Sequence, residues 1–297
     1  MKSFKQQWQL YAMLIPAIVL VILFAYIPMY GVVIAFQKFS PAKGLFGAQK
    51  WVGLDNFTYL FSLPNTIPVI RNTVVIALGK MVGMIVIPVI TAILINELKS
   101  DRPRRIVQTM VSFPHFVSWI LMAGILSNIL AGDGLVNNAL TAVGIGKIGF
   151  LTDAGIFPWT IIVSEIWKEF GFGCIIYLAT LTNIDPTLYE AASIDGAGHF
   201  KCIWHITLPG LANIIALMAL LSLGNILSAG FDQIYNLYNN MVMSTGDVID
   251  TYIYRVGMLN FKYGPASAMG LFKSIISAAM ISMSYYLAYK LADYRVF

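Results

Sequence analysis

The sequence predicts an all-α, polytopic membrane protein with six transmembrane helices. Three observations carry that expectation: a deficit of charge, long charge-free stretches, and an uneven placement of Lys and Arg. Of 297 residues, 58% are apolar and only 11% are charged, whereas soluble domains carry about 25% charged residues. Residues 6–37, 81–96, 106–132, 202–231 and 274–289 contain no Asp, Glu, Lys or Arg. About 20 apolar residues in a helix cross a bilayer core, because each adds ~1.5 Å of rise against a thickness of ~30 Å. This arithmetic excludes a soluble enzyme, a secreted disulfide scaffold and a nucleic-acid binder. The net charge of +5 needs no polyanion, since basic residues flank membrane helices.

Charge gaps, Pro/Gly breaks and polar clusters place the spans at 10–36, 72–96, 106–131, 157–181, 210–230 and 264–289. The fourth is interrupted by Glu165, Lys168 and Glu169. With the N-terminus inside, the inner segments 1–9, 97–105, 182–209 and 290–297 hold nine Lys/Arg in 54 residues, and the outer loops six in 89. Lys99, Arg102, Arg104 and Arg105 concentrate between spans two and three. Both termini are therefore expected on the cytoplasmic side. The first apolar run is too long for the 7–15-residue core of a signal peptide and lacks a small-residue cleavage site, so it reads as a retained helix. One membrane domain, 70–289, follows an N-terminal helix and outer loop, 1–69, and precedes a cytoplasmic tail, 290–297. Cys174 and Cys202 fall in unlike segments, which argues against a disulfide framework or a four-ligand zinc site.

The inner loop 182–209, with its coupling stretch 185–209, is too long for a simple connection. Asp185 can cap a helix that starts at Pro186, where a missing N–H costs nothing. Leu188, Ala191 and Ala192 then fall at helical spacing, and Gly196 and Gly198 permit a tight turn. A second short helix is expected over 199–206, before Pro209. The small side chains would let another protein approach closely; a hairpin lying on the membrane is the plainer alternative.

Here the sequence resembles a family. Glu190-Ala191-Ala192-Ser193-Ile194-Asp195-Gly196-Ala197, followed by Ile206-Thr207-Leu208-Pro209, is similar to the EAA loop of ABC-importer permeases. A Phe common in the intervening stretch is replaced by Ile203. Tyr26-Ile27-Pro28-Met29-Tyr30-Gly31, the segment Trp51 to Phe57, and Phe231-Asp232-Gln233-Ile234-Tyr235 resemble the carbohydrate branch, and within it the polysaccharide-type permeases that work as unlike pairs. The resemblance implies a type I ABC importer permease fold. It also implies that Glu190, Ala191, Ala192, Asp195, Gly196 and Ala197 dock on a partner ATPase. No G-x-x-x-x-G-K-[ST] occurs, so ATP and Mg²⁺ are expected on two copies of a separate nucleotide-binding subunit, with no cofactor in this chain. The other partners implied are a second, non-identical permease, an extracytoplasmic solute-binding protein, an oligosaccharide substrate and the lipid of a bacterial inner membrane.

Candidate pathway residues lie in spans four and five. A charge at the bilayer centre costs ~2.5–3.5 kcal/mol on insertion scales, so such residues face a partner or a watery path. Glu165, Glu169 and Phe172 share one helical face, with Lys168 adjacent; an intrahelical Glu165–Lys168 pair is the alternative. Ser222, Asn225 and Ser228 recur at i, i+3 and i+6, either along the pathway or in interhelical hydrogen bonds. Two Glu and one Lys in span four lean toward neutral sugars. Trp119, Trp159, Trp167, Tyr235, Tyr252, Tyr254 and Tyr263 fall toward the outer side, where interfacial belts are common. Lys80 and Lys273 are expected to snorkel or pair. Gly79 and Gly83 form a G-x-x-x-G suited to close helix contact. His199, Cys202 and His205 on one helix spread over about 120° and cannot converge on an ion.

The function these readings imply is a permease subunit of an ATP-driven, binding-protein-dependent importer of oligosaccharides or polysaccharides, and not an enzyme. An ABC permease for a non-sugar solute such as an amino acid or phosphate is the alternative. A membrane enzyme or stand-alone channel would leave the EAA match unexplained.

Overall fold

The computed structural model describes residues 4–98, 100–224 and 226–292. Their backbone is helical apart from connecting loops and one two-stranded hairpin. The principal helices are α1 (Phe4–Val21), α2 (Thr66–Asn96), α3 (Asp101–Ser112), α4 (Trp119–Ile129), α5 (Phe157–Leu181), α6 (Pro186–Ile194), α7 (His199–Leu223), α8 (Phe231–Leu237) and α9 (Tyr263–Ala292). Among the described residues, four helical runs are long and apolar enough to cross a membrane: Tyr11–Phe36, Thr66–Asn96, His199–Leu223 and Tyr263–Leu287. The α3–α4 pair makes a fifth if its bent halves count as one span. Helix α5 has the length, with 25 residues, but carries Glu165, Lys168 and Glu169.

Two expectations need correction. Span three is not one continuous helix: Asp101–Phe116 and Trp119–Ile129 meet at 102°. Pro114 sits in a tight turn over Phe113–Phe116, and Ser118 then caps α4 by accepting from Leu121 N–H. A proline that cannot continue the hydrogen-bond ladder, followed by a new cap, breaks the rod. Nor is the short helix over 199–206 separate from span five, expected at 210–230. A π turn over Ile203–Thr207 carries the chain from His199–Cys202 into Leu208–Leu223, so the short helix and the start of span five are one element. The wider turn accommodates a proline whose N–H is missing. This helix stops at Leu223, short of the expected 230.

The chain divides into two compact units. The first comprises Met1–Thr66 and Tyr252–Phe272. In it α1 runs on through a π turn and a 3₁₀ stretch to Phe36, then enters the antiparallel hairpin Gln37–Lys38/Lys50–Trp51. Asn56 Nδ2 donates to Ala35 O (2.9 Å) and Gln37 O (3.0 Å), and Phe36 stacks on Trp51 at 5.7 Å. These contacts order the loop that follows Phe36.

The second unit comprises Ile67–Thr251 and Lys273–Phe297. One apolar core gathers Val89, Ile93, Tyr177, Leu181 and Leu211 from α2, α5 and α7. Another gathers Ile76, Met122, Leu126, Ile161 and Ile234. Glycines set the closest approaches. Gly79 and Gly83 on α2 face Ile162 and Ile166 on α5, so the G-x-x-x-G packs helices within the chain. Gly171 on α5 faces the Val111 carbonyl of α3, where a Cβ has no room.

Candidate functional site: a capped helical hairpin and the charged stretch of helix five

The helical loop between α5 and α7 is built by its caps. Asp185 Oδ1 accepts from Thr187 N–H at 3.0 Å, as expected for an N-cap preceding Pro186. That hydrogen bond holds the exposed Asp185 carboxyl below the usual carboxylate range. At the other end Gly196 is left-handed (φ +73°). Its N–H reaches Ser193 O (3.2 Å), and Ala197 N–H reaches Ala192 O (2.9 Å). This is a Schellman cap, so the Asp195-Gly196-Ala197 run has a backbone reason: Gly must stand where φ is positive. Tyr189 and Thr207 hydroxyls, 3.0 Å apart, pin α6 to α7. Sequence reasoning missed that bond, because no local signal links positions 189 and 207.

The outer face of this hairpin is open. Glu190, Ala191, Asp195 and Gly196 are exposed, while Ala192 and Ala197 are half-buried. Beside them Ile194 and Phe200 are each 85% exposed, and Leu188 and Trp204 are also largely bare. Contiguous exposed apolar side chains rimmed by polar ones mark an interaction surface. His199 Nε2 lies 3.2 Å from Glu97 Oε2, and His205 Nδ1 donates to Lys201 O, so the two rings have separate partners.

Helix α5 carries two charge networks rather than one stripe. Glu165 does not pair with Lys168, which is a correction to the intrahelical alternative. Its Oε2 instead lies 3.2 Å from Lys80 Nζ on α2. Lys80 also donates to Ala229 O (2.6 Å) and to Gln233 Oε1. Gln233 Nε2 in turn donates to Ile161 O (2.8 Å) and Ser164 Oγ (2.9 Å). Lys80 thus pairs, as expected, and ties the non-helical segment before α8 to two long helices.

One turn further along α5, Lys168 Nζ donates to Glu169 Oε1 (2.6 Å) and to His115 O (3.0 Å) at the α3–α4 bend. Glu169 Oε2 lies 2.5 Å from His115 Nδ1, and the imidazole stacks flat on Phe172 at 4.0 Å. Lys168 also sits 5.4 Å over the Trp119 ring. The structure therefore brings Lys168, Glu169 and Phe172 together around His115, a residue the sequence reading passed over, and leaves Glu165 in the other network. In span five, Ser222 Oγ donates back to Met218 O (2.8 Å) and Ser228 is exposed beyond the helix end. Asn225 lies outside the described residues. Lys273 pairs with Asp250 at 2.5 Å.

Comparison with known proteins decides what this architecture is. Residues 84–293 match the model of a family described as the binding-protein-dependent transport system inner membrane component. The chain belongs to that family. Its type I permease fold and its role as a transport subunit, not an enzyme, follow from that membership. It is 38% identical to Protein LplB of Bacillus subtilis, over 98% of this chain and 91% of the relative. It is 36% identical, over the same shares, to the Polygalacturonan/rhamnogalacturonan transport system permease protein YteP of Bacillus subtilis. Among solved structures, a chain of a bacterial ABC transporter involved in import of the acidic polysaccharide alginate superposes with a TM-score of 0.88 at 37% identity, over 97% of both chains. A chain of the bacterial alginate ABC transporter, in complex with an alginate pentasaccharide-bound periplasmic protein, gives 0.89 at 36% identity, over 99% of this chain and 98% of that one.

Proposed function

We propose that this permease imports oligosaccharides, forming half of a translocation pathway with a second, non-identical permease. Sugar names on the relatives, at near full-length coverage, support this substrate class over an amino acid or phosphate. A solute-binding protein delivers the sugar on the outer side. Two ATPase subunits hold ATP and Mg²⁺ and close on the inner loops of the two permeases. Both termini of this chain lie in the cytoplasm, and six spans, counting the bent α3–α4 pair and α5, satisfy that orientation.

The observation that carries the coupling role is the rigid, exposed hairpin. Asp185 and Gly196 cap α6 at both ends, and Glu190, Ala191, Ala192, Asp195, Gly196 and Ala197 line its free side or its turn. A rigid element transmits a push that a floppy loop would absorb. Around α5, Glu165, Lys168, Glu169 and Phe172 serve the pathway, joined by Ser222, Asn225 and Ser228. Because each span-four charge has a protein partner, their balance no longer argues for neutral sugars over acidic ones.

The test is ATPase activity of the assembled transporter in proteoliposomes with its binding protein, against neutral and acidic oligosaccharides, for wild type and Glu190→Ala. Stimulation by one sugar class, lost in the variant, is expected. No stimulation by any sugar, or an unchanged variant, overturns the sugar reading or the coupling role respectively.

A further inference from the structure

The β-hairpin that follows Phe36 carries charge without counter-charge. Its register sets Lys38 directly opposite Lys50, so the two ammonium groups stand on one face of the ribbon. Like charges opposed in this way destabilise a strand pair. Lys43 at the turn adds a third cation, and no Asp or Glu occurs from position 37 to 54. Among the described residues, no carboxylate pairs with Lys38 or Lys50. Side-chain bonds hold the turn closed against the repulsion. Gln49 Oε1 accepts from Ser40 N–H (2.9 Å), and its Nε2 donates to Ser40 O (3.0 Å) and Gly44 O (2.9 Å). Lys43 Nζ donates to Ala48 O at 3.1 Å. A basic face held in shape and left uncompensated attracts an anion.

The depth of the hairpin says which anion. Its first strand, Gln37–Lys38, begins where the apolar run Tyr11–Phe36 stops. The loop then folds back, with the Phe46 ring 5.0 Å from that of Tyr30. Tyr30 opens the 3₁₀ stretch that ends at Phe36, and at ~2.0 Å rise per residue it lies about 12 Å before that end. Phe46 therefore sits beside the apolar run rather than beyond it. It is 77% exposed, and Tyr26, Met29 and Trp51 are also bare. Exposed aromatics at the end of an apolar span, with basic side chains next to them, belong at the level of lipid headgroups. On the orientation proposed above this is the outer side, where basic residues are sparse. Three of the six outer Lys/Arg nevertheless fall between positions 38 and 50.

We propose that this hairpin binds an anionic phospholipid, with the phosphate between Lys38 and Lys50 and Phe46 inserted among the acyl chains. The phosphate accepts a hydrogen bond from each ammonium and cancels their repulsion across the strands. Lys43 adds to the attraction, since Ala48 O uses only one of its three donors. The lipid thereby fixes the end of span one at the membrane surface. This inference goes beyond the transport role proposed above and does not depend on the substrate.

The experiment places the complete transporter in nanodiscs of phosphatidylcholine, alone or mixed with phosphatidylglycerol, and follows amide exchange of residues 38–50. Exchange should be slower with phosphatidylglycerol, and the difference should shrink at high salt. In detergent micelles titrated with phosphatidylglycerol, Lys38→Gln/Lys50→Gln should need about thirtyfold more lipid for the same protection, about fivefold for each basic residue lost. Lys38→Arg/Lys50→Arg should bind like wild type, because the charge is kept. Equal exchange of wild type in the two lipids overturns the site, and that comparison stands even if the glutamine variant does not assemble. Protection in phosphatidylcholine by inorganic phosphate, by the binding protein or by an acidic oligosaccharide also overturns it, since another anion then fills the face.

Discussion

Lys80 Nζ and Glu165 Oε2 stand 3.2 Å apart although 85 positions separate them in the chain. Their partners make the pair a clamp. The ammonium also holds Ala229 O and Gln233 Oε1, just before and within α8. Removing one member of a buried pair costs about 3–5 kcal/mol, because the other charge is left uncompensated. Glu165 keeps a fifth of its side-chain surface, which places Lys80→Met near the lower end, about 3 kcal/mol. Thermal unfolding in detergent should show a clear drop in midpoint. Adding Glu165→Gln should recover part of the loss, since the stranded charge goes. A double variant no better than the single one would refute the clamp.

Close approach at glycine gives a second prediction with a built-in contrast. A Cβ on Gly79 meets the flexible end of Ile162, whereas one on Gly171 meets the Val111 carbonyl. Overpacking costs about 1–3 kcal/mol when side chains can shift. Gly79→Ala should therefore be partly rescued by Ile162→Val in a melting experiment. Gly171→Ala should be the more damaging and have no side-chain rescue, because backbone must move. Equal damage at the two sites would contradict this packing.

Much of this architecture was legible because membrane physics writes it in short-range composition. Span four was placed at 157–181, and α5 occupies Phe157–Leu181. The Asp185 cap was read from the order Asp-Pro followed by helical spacing, a purely local signal. The pairing of Lys80 was foreseen but not its partner, since nothing local links positions 80 and 165. His115 was missed for the same reason: its neighbours Glu169 and Phe172 arrive from another helix. The two helix-boundary errors share a cause. Pro114 breaks its helix and Pro209 does not, and the difference lies in whether a wider turn accommodates the ring, which residue identity alone does not decide.

The Schellman turn yields a third prediction. A Cβ at Gly196 meets nothing within 4 Å, so substitution acts through backbone alone. The left-handed region costs a residue with a Cβ about 1–2 kcal/mol, which depopulates the capped turn roughly five- to thirtyfold. Gly196→Ala should reduce sugar-stimulated ATPase activity accordingly, and Gly196→Asn, which tolerates that region better, should reduce it less. The same order should appear in amide exchange of residues 193–197. Alanine and asparagine variants that are indistinguishable would separate the turn's geometry from coupling.

Acid should loosen the other end of the same helix. The Thr187 N–H lowers the pKa of Asp185 in the folded loop. A depressed folded pKa means that the stabilisation is present above the unfolded value, about 3.9, and fades as pH falls through the lower folded one. Protection of the Thr187 amide against hydrogen exchange should therefore persist at neutral pH and decline below about pH 4. Asp185→Asn retains an acceptor but has no proton to gain, so its protection should be independent of pH across that window. Asp185→Ala should lack the protection throughout. An asparagine variant that loses protection in acid just as wild type does would show that some other group governs the end of α6.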